Sequence, residues 1–345
     1  INFFKKSLNL NSSPIMSTVL QVDKQGFNEA VSHYTCVSSQ SLGAEVIGYS
    51  DEFFAEASNL IKPTPPSCEV RFVPTGRWYD GWETRRHNTE PSDWVIIKLG
   101  VSSSKIIGVE VDTTYFNGNH APAISVEGST DGGSTWTEVI AKHECMPSQE
   151  HFFLRVEGLT EMAYSHVRLH MYPDGGIARF RVFGEPVPVF PLSKDAVIDM
   201  AAITNGGTTI AVSDQHFSSA DNLLLPGRGT DMSDGWETSR SRGAGHEDWA
   251  IVKLGAPTNI TQIIVDTAFF RGNFPQQIRV EGVKADNNAL AISSQEWVTL
   301  VPNSSTSADR EHHFEIKNTG SYSHVRLIMI PDGGIKRLRV FGTRV

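Results

Sequence analysis

The sequence predicts an all-β protein that contains two copies of one β-sandwich domain. The pentapeptide Asp-Gly-Trp-Glu-Thr occurs at residues 80–84 and again at 234–238, and residues 165–184 return at 323–342 with four differences. Between these blocks, short runs rich in β-branched residues alternate with Gly- and Pro-rich turns, without a long stretch of helical periodicity. The repeat is far longer than the unit of a solenoid, so the pattern indicates a duplicated domain.

The chain length of 345 residues suits two domains that each bury a core. We place the first repeat at residues 17–185 and the second at 194–345. Between them, residues 186–193 form a Pro-rich linker, which is expected to be stiff and extended. Residues 1–16 are expected to be a cloning remnant or a disordered start, with Met16 as the natural first residue.

The charge balance disfavours two classes of partner. The chain carries 30 Lys and Arg against 39 Asp and Glu, a net charge of -9. Nucleic acid and anionic membrane surfaces both favour a basic stripe, so neither is expected as a partner. No apolar run approaches the length of a membrane span. All three cysteines lie in the first repeat, whereas a disulfide framework would recur in both, so a reducing, cytoplasmic location is expected.

The elements of the first repeat follow in order. Residues 50–60, echoed at 213–223, are predicted to form an ordered loop with one helical turn, because Ser and Asp precede an aromatic residue. Residues 94–99, 106–111 and 123–127 show the patterns of strands. Asp131-Gly132-Gly133 is typical of a hairpin turn, and a further strand carries Trp136 and Val139.

The block at residues 165–184 gives the clearest strand signal. Val167, Leu169 and Met171 alternate with polar residues, which predicts one buried and one exposed face. Residues 173–176 are predicted to be a hairpin turn, with residues 177–183 running back beside the first strand.

The order of these elements resembles that of the galactose-binding-like jelly roll. The doubled Asp-Gly-Trp-Glu-Thr, residues 117–122, residues 223–229 and the two Pro-Asp-Gly-Gly-Ile-x-Arg segments are similar to those of the allantoicase family. The resemblance covers nearly the whole chain after about Val31. It implies two jelly-roll repeats and the hydrolysis of allantoate to ureidoglycolate and urea in purine degradation.

Such a substrate carries a carboxylate and two ureido groups on one carbon, so its chemistry needs particular side chains. Arg is the best geometric match for the carboxylate, and a carboxylate or histidine can move the protons. The predicted catalytic residues are Glu83, Glu237, Asp80, Asp234 and His120. The predicted substrate-binding residues are Arg86, Arg240, Asp112, Asp266, Asn119, Asn273, Arg179 and Arg337.

Several of these residues also have structural explanations. Trp82 and Trp236 are favoured as core residues, and Asp80 precedes a glycine and could serve a turn. Glu83 and Arg86 could form a surface ion pair, and Arg179 could be a charge on a sheet face. A Glu-Thr-x-Arg run kept in two diverged copies still favours a site role.

The two copies differ next to the shared motif. The paired positions are Arg85 and Ser239, His87 and Ser241, Asn117 and Arg271, and His120 and Phe274. Either one copy is catalytic and the other supports assembly, or the functional site draws on both.

The sequence leaves the metal ligands unknown. It contains no HExxH or paired CxxC motif, so zinc is weakly supported. A Mn or Mg ion remains open, with Asp51, Asp214, Asn59 and Asn222 as oxygen donors. The alternative function is a non-catalytic tandem carbohydrate- or small-ligand-binding protein. A homo-oligomer is expected for an enzyme with paired domains.

Overall fold

The computed structural model describes residues 19–317 and 320–345, so the expectation for residues 1–16 lies outside the described residues. The first repeat contains β1 (Val19–Val22), α1 (Lys24–Val31), β2 (Thr35–Cys36), β3 (Glu45–Tyr49), β4 (Phe72–Val73), β5 (Gly76–Arg77), β6 (Trp82–Glu83), β7 (Asp93–Lys98), β8 (Ser104–Asp112), β9 (Ala123–Ser129), β10 (Thr137–Glu144), β11 (Glu150–Arg155), β12 (His166–Tyr172), β13 (Gly176–Ile177) and β14 (Arg179–Pro186).

The second repeat contains β15 (Ile198–Asp199), β16 (Thr208–Val212), β17 (Trp236–Glu237), β18 (Asp248–Asp266), β19 (Gln277–Val283), α2 (Asn288–Ser293), β20 (Val298–Ser305), β21 (Glu311–Glu315), β22 (Ser321–Ile330), β23 (Gly334–Ile335) and β24 (Arg337–Arg344). Short 3₁₀ helices occupy Gln40–Leu42, Ala57–Ile61, Ile203–Asn205 and Ala220–Leu224. The helical turn predicted for residues 50–60 and its echo is therefore confirmed.

The first repeat is a sandwich of two antiparallel sheets. One sheet has the order β1-β11-β8-β14-β2 and the other the order β10-β9-β12-β7-β3. Val167, Leu169 and Met171 of β12 are fully buried, as their alternation predicts, and face the core between the sheets.

The second repeat has the same layers, joined by one long strand. The 19 residues of β18 run through both layers, where the first repeat uses the separate strands β7 and β8. The first part of β18 pairs with β22 and β16, and its last part pairs with β24 and β21. The predicted tandem β-sandwich is thus confirmed.

The expected hairpin at residues 173–176 is wrong. Strand β12 pairs with β7 and β9, whereas β14 pairs with β8 and β2 in the other sheet. The loop therefore crosses between layers instead of reversing within one sheet. On the way, Gly176 and Ile177 pair with Glu83 and Trp82, so the loop lies against the repeated pentapeptide.

Close packing explains why this loop needs glycine. A β-carbon on Gly176 would overlap the ring of Phe116, and one on Gly334 would overlap the ring of Phe270. Neither repeat can place a side chain there without moving a buried aromatic residue.

Between β14 and β15, residues 187–197 include most of the Pro-rich stretch and connect the repeats. Cys36, Cys68 and Cys145 are free thiols. Within the described ranges, no helix is long and apolar enough to cross a membrane.

Candidate functional site

The first candidate site is built around Glu83 at the edge of the first sandwich. The preceding Trp82 is fully buried and donates its indole N–H to the carbonyl of Asp51 over 2.7 Å. Trp236 does the same with Asp214 over 2.9 Å. The core interpretation of both tryptophans is confirmed. Because the indole is fixed in the core, the next residue is held where the loops meet.

Glu83 is an enclosed carboxylate with two donors. Asn119 donates its Nδ2–H to Glu83 Oε1 over 2.7 Å, and Arg86 donates an Nη2–H to the same oxygen over 3.0 Å. Burial raises the pKa of Glu83, and the hydrogen bond from Asn119 and the charge of Arg86 oppose that shift. A carboxylate with these features is suited to exchanging a proton.

Arg86 closes this pocket by lying inside it. Its Nη1 donates to the Thr84 carbonyl over 2.7 Å, and its Nη2 also donates to the Asn119 carbonyl over 3.1 Å. Asp174 Oδ1 lies 3.8 Å from Nη1. The guanidinium is thus surrounded by acceptors from three different loops.

The second repeat presents the same groups around an open cavity of about 520 Å³. Asn273 donates to Glu237 Oε1, as Asn119 does to Glu83. Thr238, Arg240 and Asp332 line this cavity with them, and the apolar part of its wall comes from Phe217 and Phe274. Arg240 is exposed and makes no hydrogen bond or ion pair with any residue that the structure describes.

The structure brings Asp80 and Arg179 together, but behind the site. Arg179 is fully buried and donates to Asp80 Oδ2 over 2.8 Å and to the carbonyls of Asp80, Thr64, Pro65 and Ala178. With its donors occupied in the interior, Arg179 is not placed to bind a substrate carboxylate. This burial favours a structural role for Arg179 and Asp80 over the substrate-binding and catalytic roles expected from the sequence.

The second repeat repeats this buried arrangement. Arg337 donates to Asp234 Oδ2 over 2.8 Å, and Lys336 also contacts the Asp234 carboxylate. None of the three lines the open cavity. The same arrangement favours a structural role for Asp234 and Arg337 over the catalytic and substrate-binding roles expected from the sequence.

The charge environment of Asp80 confirms that it is an ion-pair residue. Burial alone would raise the pKa of its carboxyl, but the hydrogen bonds from Arg179 and Ser67 and the charges of Arg179 and Lys62 lower that pKa to about 2. Asp80 is therefore ionised at neutral pH, and its negative charge is balanced within the fold.

Asp112 and Asp266 end the corresponding strands and organise the next turn. Asp112 Oδ1 accepts from the Thr114 N–H over 2.7 Å, and Asp266 Oδ1 accepts from the Ala268 N–H over 2.9 Å. Asp266 also accepts a bidentate pair from Arg228 at 2.7 and 2.9 Å. Both are buried, and Asp266 does not line the open cavity. These contacts favour a structural role for both aspartates over the substrate binding expected from the sequence.

His120 follows Asn119 and forms a backbone bridge with Gly176, the residue that pairs with Glu83. Burial lowers the pKa of this imidazole, so the neutral form is favoured. Its Nδ1 is buried without a hydrogen-bond partner among the described residues. In the second repeat Phe274 takes its place on the cavity wall.

The side chains expected to supply oxygens to a Mn or Mg ion make hydrogen bonds within the fold. Asn59 and Asn222 use their side-chain amides to hold the carbonyls of Gly81 and Gly235, each over 2.9 Å. Asp51 and Asp214 accept the backbone N–H groups of Arg85 and Ser239. No group of three or more His, Cys, Asp or Glu side chains suited to a metal occurs in the described part of the chain.

Sequence reasoning missed the aspartate of the crossing loop. Asp174 and Asp332 were expected to serve a turn, yet Asp174 approaches Arg86 and Asp332 lines the cavity. They also accept the backbone N–H groups of Asn88 and Ser241. Their presence in both copies could have indicated a site role, but a Pro-Asp-Gly-Gly run is equally typical of a simple turn.

The fold and the site together define a duplicated jelly-roll protein with a carboxylate, an amide and a guanidinium at the edge of each sandwich. A sequence profile of the allantoicase repeat matches residues 35–187 and 198–345. The chain belongs to the allantoicase family, and the resemblance stated from its motifs is confirmed.

Individual relatives support the same family assignment. Allantoicase from Saccharomyces cerevisiae is 54% identical over 318 residues, which span 89% of this chain and 93% of the relative. Allantoicase from Neurospora crassa is 52% identical over 322 residues, spanning 89% of this chain and 90% of the relative. The crystal structure of the Saccharomyces cerevisiae allantoicase superposes with a TM-score of 0.83 at 48% identity, covering 94% of this chain and 100% of that one.

Proposed function

We propose that this protein hydrolyses allantoate to ureidoglycolate and urea in purine degradation, at the open cavity of the second repeat. The observation that carries the location is the gathering of Glu237, Asn273 and an unpaired Arg240 around one cavity. Membership of the allantoicase family supports the reaction.

Each of these three side chains has a distinct task. Arg240 binds the substrate carboxylate, because a planar guanidinium donates two parallel hydrogen bonds to it. Its exposure and lack of a partner leave those donors available. Asn273 fixes the orientation of Glu237 through its hydrogen bond to Oε1.

The reaction breaks the bond between the central carbon and one ureido nitrogen and forms a bond from that carbon to a water oxygen. Glu237 accepts a proton, either from the attacking water or from the N–H of the remaining ureido group. Glu237 then gives this proton to the leaving ureido nitrogen, which departs as urea, and the carboxylate is regenerated. The water supplies the hydroxyl group of ureidoglycolate, so atoms and charge balance.

The first repeat has a supporting role in this proposal. Its equivalent groups are covered by Arg86, whose guanidinium bonds to Glu83 and to the carbonyls of Thr84 and Asn119. With that guanidinium bonded to it, Glu83 is buried and its Oε1 is already hydrogen-bonded. His120, proposed from the sequence as catalytic, belongs to this closed pocket and is assigned no step.

A cytoplasmic location and a homo-oligomer complete the proposal. Three free thiols support a reducing compartment. Val70 and Phe72 are exposed at 84% and 74% on the segment that enters the β4–β5 hairpin, which supports a contact between subunits. Light scattering of wild type and Phe72→Ser tests the second point, and an unchanged mass would remove this segment from the interface.

Measuring urea and ureidoglycolate release from allantoate tests the function directly. We expect both products in equal amounts. A parallel reaction with EDTA, followed by added Mn or Mg, tests the divalent cation left open by the sequence. A folded protein that forms neither product under any of these conditions would contradict the proposal.

A further inference from the structure

The four acceptor groups that hold the Arg86 guanidinium in the first repeat recur around the open cavity of the second. We propose that in the second repeat they form a subsite for a planar, N–H-rich group. This subsite takes the leaving ureido group of the substrate and also binds a small guanidinium cation. The identity of the ureido group rests on the proposed function, whereas guanidinium binding does not.

The correspondence between the two sets is complete. In the first repeat the acceptors are one glutamate oxygen, two backbone carbonyls and one aspartate oxygen. The equivalent residues, all of which line the open cavity, are Glu237, Thr238, Asn273 and Asp332.

The strand pairing and backbone hydrogen bonds of the two pockets also match. Glu237 pairs with Gly334 as Glu83 pairs with Gly176. The Thr238 N–H donates to the Gly333 carbonyl over 3.0 Å, and the equivalent bond in the first repeat is also 3.0 Å long. The same strand pairing therefore holds both sets of acceptors in place.

The contacts made by Arg86 reveal what this set of acceptors recognises. A guanidinium is planar and offers only N–H donors, and the pocket meets those donors at 2.7, 3.0 and 3.1 Å with a further carboxylate oxygen at 3.8 Å. A ureido group has the same planar shape, with N–H donors on its nitrogens and one carbonyl oxygen. In the open cavity the side-chain amide of Gln276 supplies a donor for that oxygen, which leaves Arg240 for the carboxylate.

The charge of the subsite determines which of its ligands binds more strongly. Glu237 and Asp332 place two carboxylates on the wall, so a guanidinium cation is held more strongly than neutral urea. The first repeat already satisfies these acceptors with its own Arg86, held at high local concentration by the chain. One external guanidinium per chain is therefore expected.

Calorimetric titration with methylguanidinium chloride tests this inference, with sodium chloride keeping the ionic strength constant. Wild type should bind one cation per chain. Glu237→Gln and Asp332→Asn, which keep side-chain shape but remove charge, should each weaken that binding about tenfold or more. Asp286→Asn, at an exposed carboxylate outside the cavity, is the matched control.

The first repeat allows a second, independent test of the inference. Arg86→Ala removes the internal guanidinium, so a second methylguanidinium should bind and raise the ratio to two per chain. Adding Asp174→Asn in that background should weaken the new site.

Binding no stronger than that of tetramethylammonium, or binding that is unaffected by both charge-removing variants, would overturn the subsite. Binding as described in a protein that releases no urea from allantoate would keep the subsite and discard the proposed reaction.

Discussion

The two repeats contain the same recognition groups, but the glutamate is covered by an arginine in the first repeat and faces an open cavity in the second. In the first, Arg86 bonds to Glu83, and in the second, Arg240 lines the cavity without bonding to Glu237, which faces the same cavity. The backbone of the two sites is alike, since both glutamates pair with the second glycine of the crossing loop. The difference teaches that one arginine side chain decides whether a duplicated site is closed or open.

The neighbours of the arginine also differ between the repeats. Arg85 pairs with Asp51 at 3.1 Å and its guanidinium lies 5.5 Å from the ring centroid of Phe53. Its counterpart Ser239 carries no charge, and its backbone N–H donates to Asp214 over 2.6 Å. At this position the first repeat therefore carries a cation and the second does not.

Behind the site, each repeat places a second cation against its aspartate, but that cation comes from a different position in the chain. Lys62 approaches Asp80 at 3.4 Å from the loop after a 3₁₀ helix, whereas a fully buried Lys336 contacts Asp234 from the crossing segment. Burial lowers the pKa of Lys336 to about 8. Ala178 stands at the position of Lys336 in the first repeat. What is shared is a second cation on the buried aspartate, not its place in the chain.

The comparison between the repeats is tested most directly by replacing one glutamate at a time. Glu237→Gln should lower kcat about 10²- to 10⁴-fold, because it removes the group that accepts the proton. Glu83→Gln should change kcat by less than about threefold, since its pocket is filled by Arg86. Urea release under saturating allantoate measures both. Equal losses would show that both repeats catalyse.

Breaking the buried ion pair should affect both repeats alike. Arg179→Ala and Arg337→Ala each leave an aspartate without its main partner and should lower the free energy of unfolding by about 3–5 kcal/mol. Urea denaturation followed by tryptophan fluorescence measures the loss. Arg271→Ala, in an exposed ion pair with Asp309, is the control and should cost less than about 1 kcal/mol. A comparable loss in all three variants would contradict the structural role.

Removing the exposed arginine should separate binding from chemistry. Arg240→Ala should raise KM for allantoate about 10- to 100-fold through the loss of a charge-assisted bidentate contact. Arg86→Ala should leave KM of the second-repeat site within about twofold. Steady-state kinetics on both variants checks this. If Arg86→Ala raises KM more than Arg240→Ala does, the open and closed assignments are reversed.

Acid should weaken the first repeat through Asp80. The folded-state pKa of Asp80, about 2, lies below its ordinary value of 3.8. The stability that it contributes is therefore present above pH 4 and is lost as the pH falls toward 2. Wild type should exceed Asp80→Asn in unfolding free energy at pH 5, and that excess should shrink by about 2 kcal/mol toward pH 2. Chemical denaturation at pH 5, 4, 3 and 2 measures it. A constant difference would mean that the carboxyl titrates normally.

Much of the fold could be predicted because its signals are local. The alternation in β12 and the short β-branched runs depend only on neighbouring residues, and duplication doubled each signal. The crossing loop was mistaken for a hairpin because strand pairing is a long-range property. A Pro-Asp-Gly-Gly turn serves equally well within a sheet or between two sheets.

The candidate site could be predicted only in part. Glu83, Arg86 and Asn119, which were selected because they are polar and kept in both copies, lie in contact with one another. Asp80, Asp112 and Arg179 passed the same test but lie buried in structural contacts. A repeated polar residue can serve a site or an internal ion pair, and the sequence alone does not separate the two.

By itself, the sequence determined the duplication, the all-β architecture, the alternating core faces and the membership of the allantoicase family, since these depend on residue order and composition. The tertiary structure decided which polar groups share a cavity. It enclosed Arg179 with backbone carbonyls, brought the crossing loop to Glu83 and left Arg240 on the cavity wall while Arg86 bonds to its glutamate. These outcomes depend on burial and on side-chain torsions set by residues far apart in the chain, which no local pattern encodes.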